Sequence, residues 1–258
     1  MKVVVIIPAA GLGTRMAPVP SAPVSGVLSA GKDAKDRDKD KKPHASKQFT
    51  ELAGTPILIH TLRKFASVEA VSEIWVALRE NEIEGFRDRV AREALDLAKK
   101  RIELVVGGEH RQESVGNALN AVSASADDIV LVHDAVRPLV TPEIIREVIE
   151  AAKRYGAAIA GLPAVDTVKQ VERTAEGAII KATIPRAGVV LAQTPQGFRY
   201  DVIKKAFDEA AADGFMGTDE ASLAERSGHA VAVVMGSPRN IKITAPGDME
   251  LAEFYLKK

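Results

Sequence analysis

Val3-Val4-Val5-Ile6-Ile7-Pro8-Ala9-Ala10-Gly11-Leu12-Gly13-Thr14-Arg15-Met16 is the stretch on which the fold turns. Its first half is an unbroken β-branched run, and such a run reads as a strand covered on both faces. Its second half is a loop with glycine at 11 and 13, followed by an arginine. A strand that empties into a glycine-rich loop brings backbone N–H groups against phosphate oxygens. Arg15 adds a cation with a bidentate fork. The stretch therefore points to a nucleotide whose phosphates are handled chemically. It is not a dinucleotide fingerprint, because Met16 occupies the place of the third glycine. It is not a Walker A loop, because no Gly-Lys-Ser/Thr follows.

Outward from this strand, apolar strand segments alternate with amphipathic helical ones. Strands are expected at Lys2–Pro8, Glu73–Leu78, Ile102–Val106, Ile129–His133, Ala157–Pro163 and Ala230–Met235. Helices are expected at Pro56–Ala66, Ile83–Lys99, Gln112–Ala121, Pro142–Tyr155, Tyr200–Ala211, Asp219–Ser227 and Pro246–Leu256. The alternation predicts an α/β fold with a mostly parallel sheet and helices on both faces. Ligands of such sheets lie beyond the carboxyl ends of the strands, so the loops after Ile7, Val106, His133 and Pro163 carry the function.

Composition narrows the function classes. The chain has 258 residues, with 35 Lys+Arg against 35 Asp+Glu. That balance argues against a general binder of nucleic acid or of membrane surfaces. There is no cysteine, so neither a disulfide framework nor a thiolate metal site is possible. No apolar run approaches membrane-spanning length, and a cytoplasmic protein is the expectation.

Ala17 to Ser46 breaks the alternation. It has no sustained apolar period, and its run Lys32–Lys42 interleaves four aspartates with the cations. It reads as a flexible insertion loop at 17–46, solvated rather than a basic arm over phosphates. Gly107-Gly108-Glu109-His110-Arg111 lets the backbone approach a ligand just before a helix starts. In Val132-His133-Asp134-Ala135-Val136-Arg137-Pro138, a carboxylate and a guanidinium stand at a strand's carboxyl end. Asp134 there suits Mg²⁺ or a sugar hydroxyl, and Arg137 a phosphate. The simpler reading is a local ion pair. His133 reads as a packed strand-end residue. Val165–Val171 and Ile179–Ile184 alternate too polarly for a central sheet and predict a protruding hairpin arm at 166–186, suited to pairing with another subunit. Thr218 reads as a helix cap, and Asn240–Thr244 as a short strand carrying Lys242.

These residues together resemble the 2-C-methyl-D-erythritol 4-phosphate cytidylyltransferases of the non-mevalonate isoprenoid pathway. The blocks that carry the resemblance are Ala9–Met16, Ser46-Lys47-Gln48, Gly107-Gly108 with Arg111 and Ser114, Val132–Pro138 and Asp166–Lys169. They continue with Thr194-Pro195-Gln196, Thr218–Ser222, Asn240-Ile241-Lys242 and Ala252–Leu256. The departure is the long stretch between Arg15 and Lys47, where the family has only a few residues. The resemblance implies a single domain over 1–258 with a Rossmann-like nucleotidyltransferase fold. It also implies a homodimer through the arm, CTP and a sugar-alcohol phosphate as partners, and a divalent cation such as Mg²⁺ carried by the CTP phosphates.

By the same resemblance, Arg15 and Lys47 would neutralise the α-phosphate, and Arg186 and Lys242 would position the acceptor phosphate. Asp134, Arg137, Thr167 and Thr194 would hold the acceptor. Ala9, Ala10, Gly11, Gly13, Gly108, Glu109 and Ser114 would cradle the nucleoside. No Ser-His-Asp set is present, and none is needed when the nucleophile is a phosphate oxygen. A ribitol- or ribulose-5-phosphate cytidylyltransferase carries the same motifs. A sugar-1-phosphate nucleotidyltransferase using another base is a further alternative. A catalytically silent nucleotide binder is a third, which the joint presence of Arg15, Lys47, Arg186 and Lys242 argues against.

Overall fold

Why every residue of Val3–Ile7 is apolar becomes plain from its two faces. In the computed structural model, which describes residues 1–11, 46–93, 97, 100–174 and 177–257, this run is strand β1 (Val3–Pro8). Val3, Val5 and Ile7 point into one core, Val4 and Ile6 into another. Both sets are essentially inaccessible to water. Alternate residues of a strand face opposite sides, so a strand buried twice needs an apolar residue at each position.

The remaining strands are β2 (Glu51–Leu52), β3 (Thr55–Pro56), β4 (Glu73–Leu78), β5 (Arg101–Val106), β6 (Ile129–Val132), β7 (Ala157–Pro163), β8 (Val168–Thr174), β9 (Gly177–Ile184), β10 (Val190–Arg199) and β11 (Ala232–Met235). Helices are α1 (Ile57–Ala66), α2 (Glu80–Glu93), α3 (Arg111–Ala121), α4 (Pro142–Tyr155), α5 (Tyr200–Ala212), α6 (Glu220–Arg226) and α7 (Pro246–Leu256). Seven strands form one sheet in the order β11-β7-β10-β6-β1-β4-β5. β10 runs antiparallel to both neighbours, and the other pairings are parallel. Helices α1, α2 and α4 cover one face, and α3, α5 and α6 the other. The chain passes from β1 outward to β4 and β5, then returns to place β6 on the other flank of β1. That reversal opens a crevice at the carboxyl ends of β1 and β6, where α/β sheets bind ligands.

β10 is not among the strands expected from the sequence, and its Pro195 and Gly197 are residues that local propensity disfavours in a strand. Pro195 falls where the pairing with β7 shifts register, between Ala192 and Gln196. Gly197 is a packing requirement. A Cβ there would lie 2.8 Å from Val148 of α4 and 2.9 Å from Leu131 of β6. The expected strand at Asn240–Thr244 is not one. That segment is irregular, held by the bond from the Ile243 N–H to the Val136 carbonyl and by Asn240 donating to the Thr194 carbonyl. The cap of α6 is Asp219 rather than Thr218, its carboxylate accepting from the Ser222 N–H at 2.9 Å.

The expected arm is present as the antiparallel pair β8–β9, a separate two-stranded sheet with exposed residues along β9. Residues 12–45 lie outside the described residues. So do the catalytic expectation Arg15, the loop glycine Gly13 and all of the 17–46 insertion but its last residue.

Candidate active site

The cleft at the carboxyl ends of β1, β5 and β6 has a volume of about 530 Å³, within the range of small-molecule sites. Three loops make its walls. The first is Pro8–Gly11. Its carbonyls do not face the ligand space unpaired: Gln48 donates to the Ala9 carbonyl, and Arg79 Nε donates to that of Ala10 at 2.9 Å. The second is the loop after β5. Gly107 abuts the first loop so closely that a Cβ would sit 2.5 Å from Ala10 Cβ, and a Cβ on Gly108 would meet Glu113. Only glycine permits this double approach. The Ser114 hydroxyl accepts from the Gly108 N–H at 3.1 Å, and Glu113 accepts from the Glu109 N–H at 2.8 Å. The loop is thus fixed by its own helix start. The third wall is Asp134-Ala135-Val136, with Lys47 and Lys242 completing the lining.

Asp134 is the electrostatic centre. Arg111 Nε reaches its Oδ1 at 3.2 Å, while Arg137 Nε and Lys242 Nζ reach Oδ2 at 3.1 and 3.0 Å. Burial pushes this carboxyl up, but Arg111, Lys242 and Arg137 outweigh it and hold it well below the usual carboxylate range. Arg137 also donates to the Asn240 carbonyl at 2.7 Å, which ties the irregular Lys242 segment to the β6 loop. So the Asp134–Arg137 pair is real, but it is one side of a three-cation ring rather than an isolated local bridge.

The three cations offset the charge of Asp134, which weakens it as a Mg²⁺ ligand, while Oδ1, met by Arg111 alone among them, keeps a lone pair facing the cleft side of the ring. Among the described residues there is no group of three or more His, Cys, Asp or Glu able to hold a metal.

His133 lies behind the ring, fully buried, its ring edge-on to Phe65 at 4.8 Å. Its Nε2 is 3.1 Å from the Arg137 carbonyl, which can only accept, so Nε2 carries the proton. Nδ1 therefore accepts from the Thr194 hydroxyl at 3.0 Å, and Thr194 Oγ1 in turn accepts from the Asp134 N–H at 3.1 Å. Burial, the dominant cause, lowers the imidazole to about 4. His133 is a neutral brace, as its strand-end position suggests.

This chain is similar to known proteins throughout its length. The family model for 2-C-methyl-D-erythritol 4-phosphate cytidylyltransferase matches residues 29–258. A protein of that description from Acidobacterium capsulatum is 57% identical over all of this chain and 98% of its own length. One from Solibacter usitatus is 48% identical over 100% and 97%. Among solved structures, the Francisella tularensis 2-C-methyl-D-erythritol 4-phosphate cytidylyltransferase superposes with a TM-score of 0.75 at 33% identity, covering 98% and 99% of the two chains. The Thermus thermophilus enzyme of that name gives 0.70 at 31% identity over the whole of both. The chain belongs to the 2-C-methyl-D-erythritol 4-phosphate cytidylyltransferase family. It is a nucleotidyltransferase, which removes the silent-binder alternative.

For a cytidylyltransferase of this family, the cleft gathers most of the residues expected to act. Ala9, Ala10, Gly11, Lys47, Gly108, Glu109, Ser114, Asp134 and Lys242 line it together. Arg137 and Thr194 stand behind Asp134 and hold it. Thr167 and Arg186 do not line it. Both are exposed on the arm, where Arg186 donates to the Val165 carbonyl. Sequence reasoning gave no role to Glu220. Its acidic side chain at a helix start reads as a surface cap, and no local pattern signals that it is buried.

Proposed function

We propose that the cleft performs cytidylyl transfer from CTP to 2-C-methyl-D-erythritol 4-phosphate, giving 4-diphosphocytidyl-2-C-methyl-D-erythritol and pyrophosphate. The observation that carries this reading is the cation set converging on the mouth of a glycine-walled cleft. The reacting groups are both anions. An acceptor phosphate oxygen forms the new bond to the α-phosphorus, and the bond from that phosphorus to the bridging oxygen breaks. Pyrophosphate leaves with the electron pair. The nucleophile is ionised at neutral pH, so the protein needs no general base, and His133 is too committed to act as one. What remains is to bring two anions together and stabilise charge in the transition state.

In this reading Lys47 and Arg15 would neutralise the α-phosphate, and Lys242 would position the acceptor phosphate. Asp134, braced by Arg137 and Thr194, accepts from an acceptor hydroxyl. The Ala9–Gly13 and Gly108–Ser114 loops hold cytosine and ribose. A divalent cation such as Mg²⁺ would arrive on the triphosphate as part of the substrate. Thr167 and Arg186 would complete the acceptor site of a second copy, a homodimer joined through the β8–β9 arm. The arm's exposed Ile179 and Ile180, each 59% accessible, support an interface there. Among the described residues no helix is long and apolar enough to cross a membrane. A nucleoside triphosphate substrate supports a cytoplasmic location.

The test is a pyrophosphate-release assay crossing CTP, UTP and ATP with methylerythritol phosphate and ribitol 5-phosphate. CTP with methylerythritol phosphate should be the productive pair. Preference for ribitol phosphate, or for another nucleotide, would overturn the assignment.

A further inference from the structure

Arg111 is shared between two carboxylates. Its Nε meets Asp134, and its Nη1 meets Glu220 Oε1 at 2.6 Å. Glu220 is shut away from water, with its side chain 1% exposed and its Oε2 buried without a partner. Its position is set independently of Arg111. Gln196 of β10 accepts from the Ala221 N–H at 3.0 Å and donates to Asp219 Oδ2 at 2.8 Å, fixing the chain on both sides of Glu220. A buried carboxylate on so rigid a seat is a costly feature unless its charge is used.

Without that charge, a guanidinium beside a lone carboxylate closes onto it with both arms. Arg111 would then saturate Asp134 and displace Lys242 from Oδ2. We propose that Glu220 is a positioning residue for the acceptor side of the site. It holds Arg111 to a single contact with Asp134, so that Asp134 keeps lone pairs for a polyol hydroxyl and Lys242 stays at the cleft mouth. The inference rests on the reading of Asp134 as an acceptor-binding residue.

Steady-state kinetics on the full-length protein test it, with thermal unfolding run on each variant. Glu220→Gln keeps the shape and removes the charge. It should raise the KM for methylerythritol phosphate about tenfold, with the KM for CTP and kcat changed less than about threefold. Arg111→Lys replaces the fork, whose Nε and Nη1 meet the two carboxylates separately, with a single point donor, so it should give the same split. The double variant should be no worse than either single one, because both break one chain of contacts. If Glu220→Gln does not fold, Arg111→Lys carries the test alone.

An unchanged acceptor KM would overturn the proposal. So would losses spread equally over kcat and both KM values in step with the melting temperature, because that pattern means structural support only. Asp134→Asn separates the two levels. If it raises the acceptor KM while the other variants do not, only the role of Glu220 fails. If it leaves that KM unchanged, the acceptor reading itself fails.

Discussion

His133 has both ring nitrogens engaged and no surface open to solvent, so its protonation state is a property of the fold. Burial lowers the imidazole from an ordinary 6.5 to about 4, against the raising effects of the Arg137 carbonyl and of Asp134. Between those two values the unfolded chain binds a proton that the folded chain refuses. Stability is therefore complete above about pH 6.5 and is lost as pH falls towards 4, by up to about 3 kcal/mol. Asp134 acts in the same direction but only at lower pH, because its folded value is depressed below the usual carboxylate range. His133→Asn should flatten the pH dependence of denaturant stability between 6.5 and 4. The same slope in the variant as in the parent would show that another group titrates there. Of all this, only the strand-end position of His133 is legible in the sequence. The partners Arg137 and Thr194 are four and 61 residues away, and the second of these is a contact that only folding makes.

At the scale of elements, the helices and parallel strands follow from local chemistry. α4 buries Ile144, Ile145, Val148, Ile149 and Ala152 on one side, carries Pro142 at its first turn, and is capped by the Thr141 hydroxyl, which accepts from the Ile144 N–H. Each of those signals is local and readable. β10 is the opposite case. Its Pro195 and Gly197 argue against a strand, and the strand forms because β6 and β7 supply partners on both edges while α4 lies across Gly197. Tertiary contact overrides local preference there. Gly197→Ala should therefore cost about 1–3 kcal/mol through overpacking against Val148 and Leu131. A denaturant midpoint unchanged by that methyl group would mean that α4 can retreat from the sheet.

At the scale of the molecule, Thr167 and Arg186 stand on an arm apart from the cleft that gathers Lys47, Asp134 and Lys242. If two copies complete each other's acceptor sites, subunits carrying Arg186→Ala and subunits carrying Lys47→Ala should be nearly inactive alone. Together they should recover about a quarter of the parent activity, since random pairing gives half mixed dimers with one intact site each. No recovery after verified subunit exchange would show that Arg186 acts within its own chain or not at all. The sequence by itself determined the alternation of strands and helices, the glycine loops after β1 and β5, and the cationic character of the site. Those features depend on residues near one another in the chain, where periodicity and backbone sterics act. Only the tertiary structure decided that β10 is a strand and that Asp134 is ringed by Arg111, Arg137 and Lys242. It alone decided that Glu220, 109 residues from Arg111, shares that guanidinium. Such charge networks are fixed by burial and long-range approach, which no local pattern records.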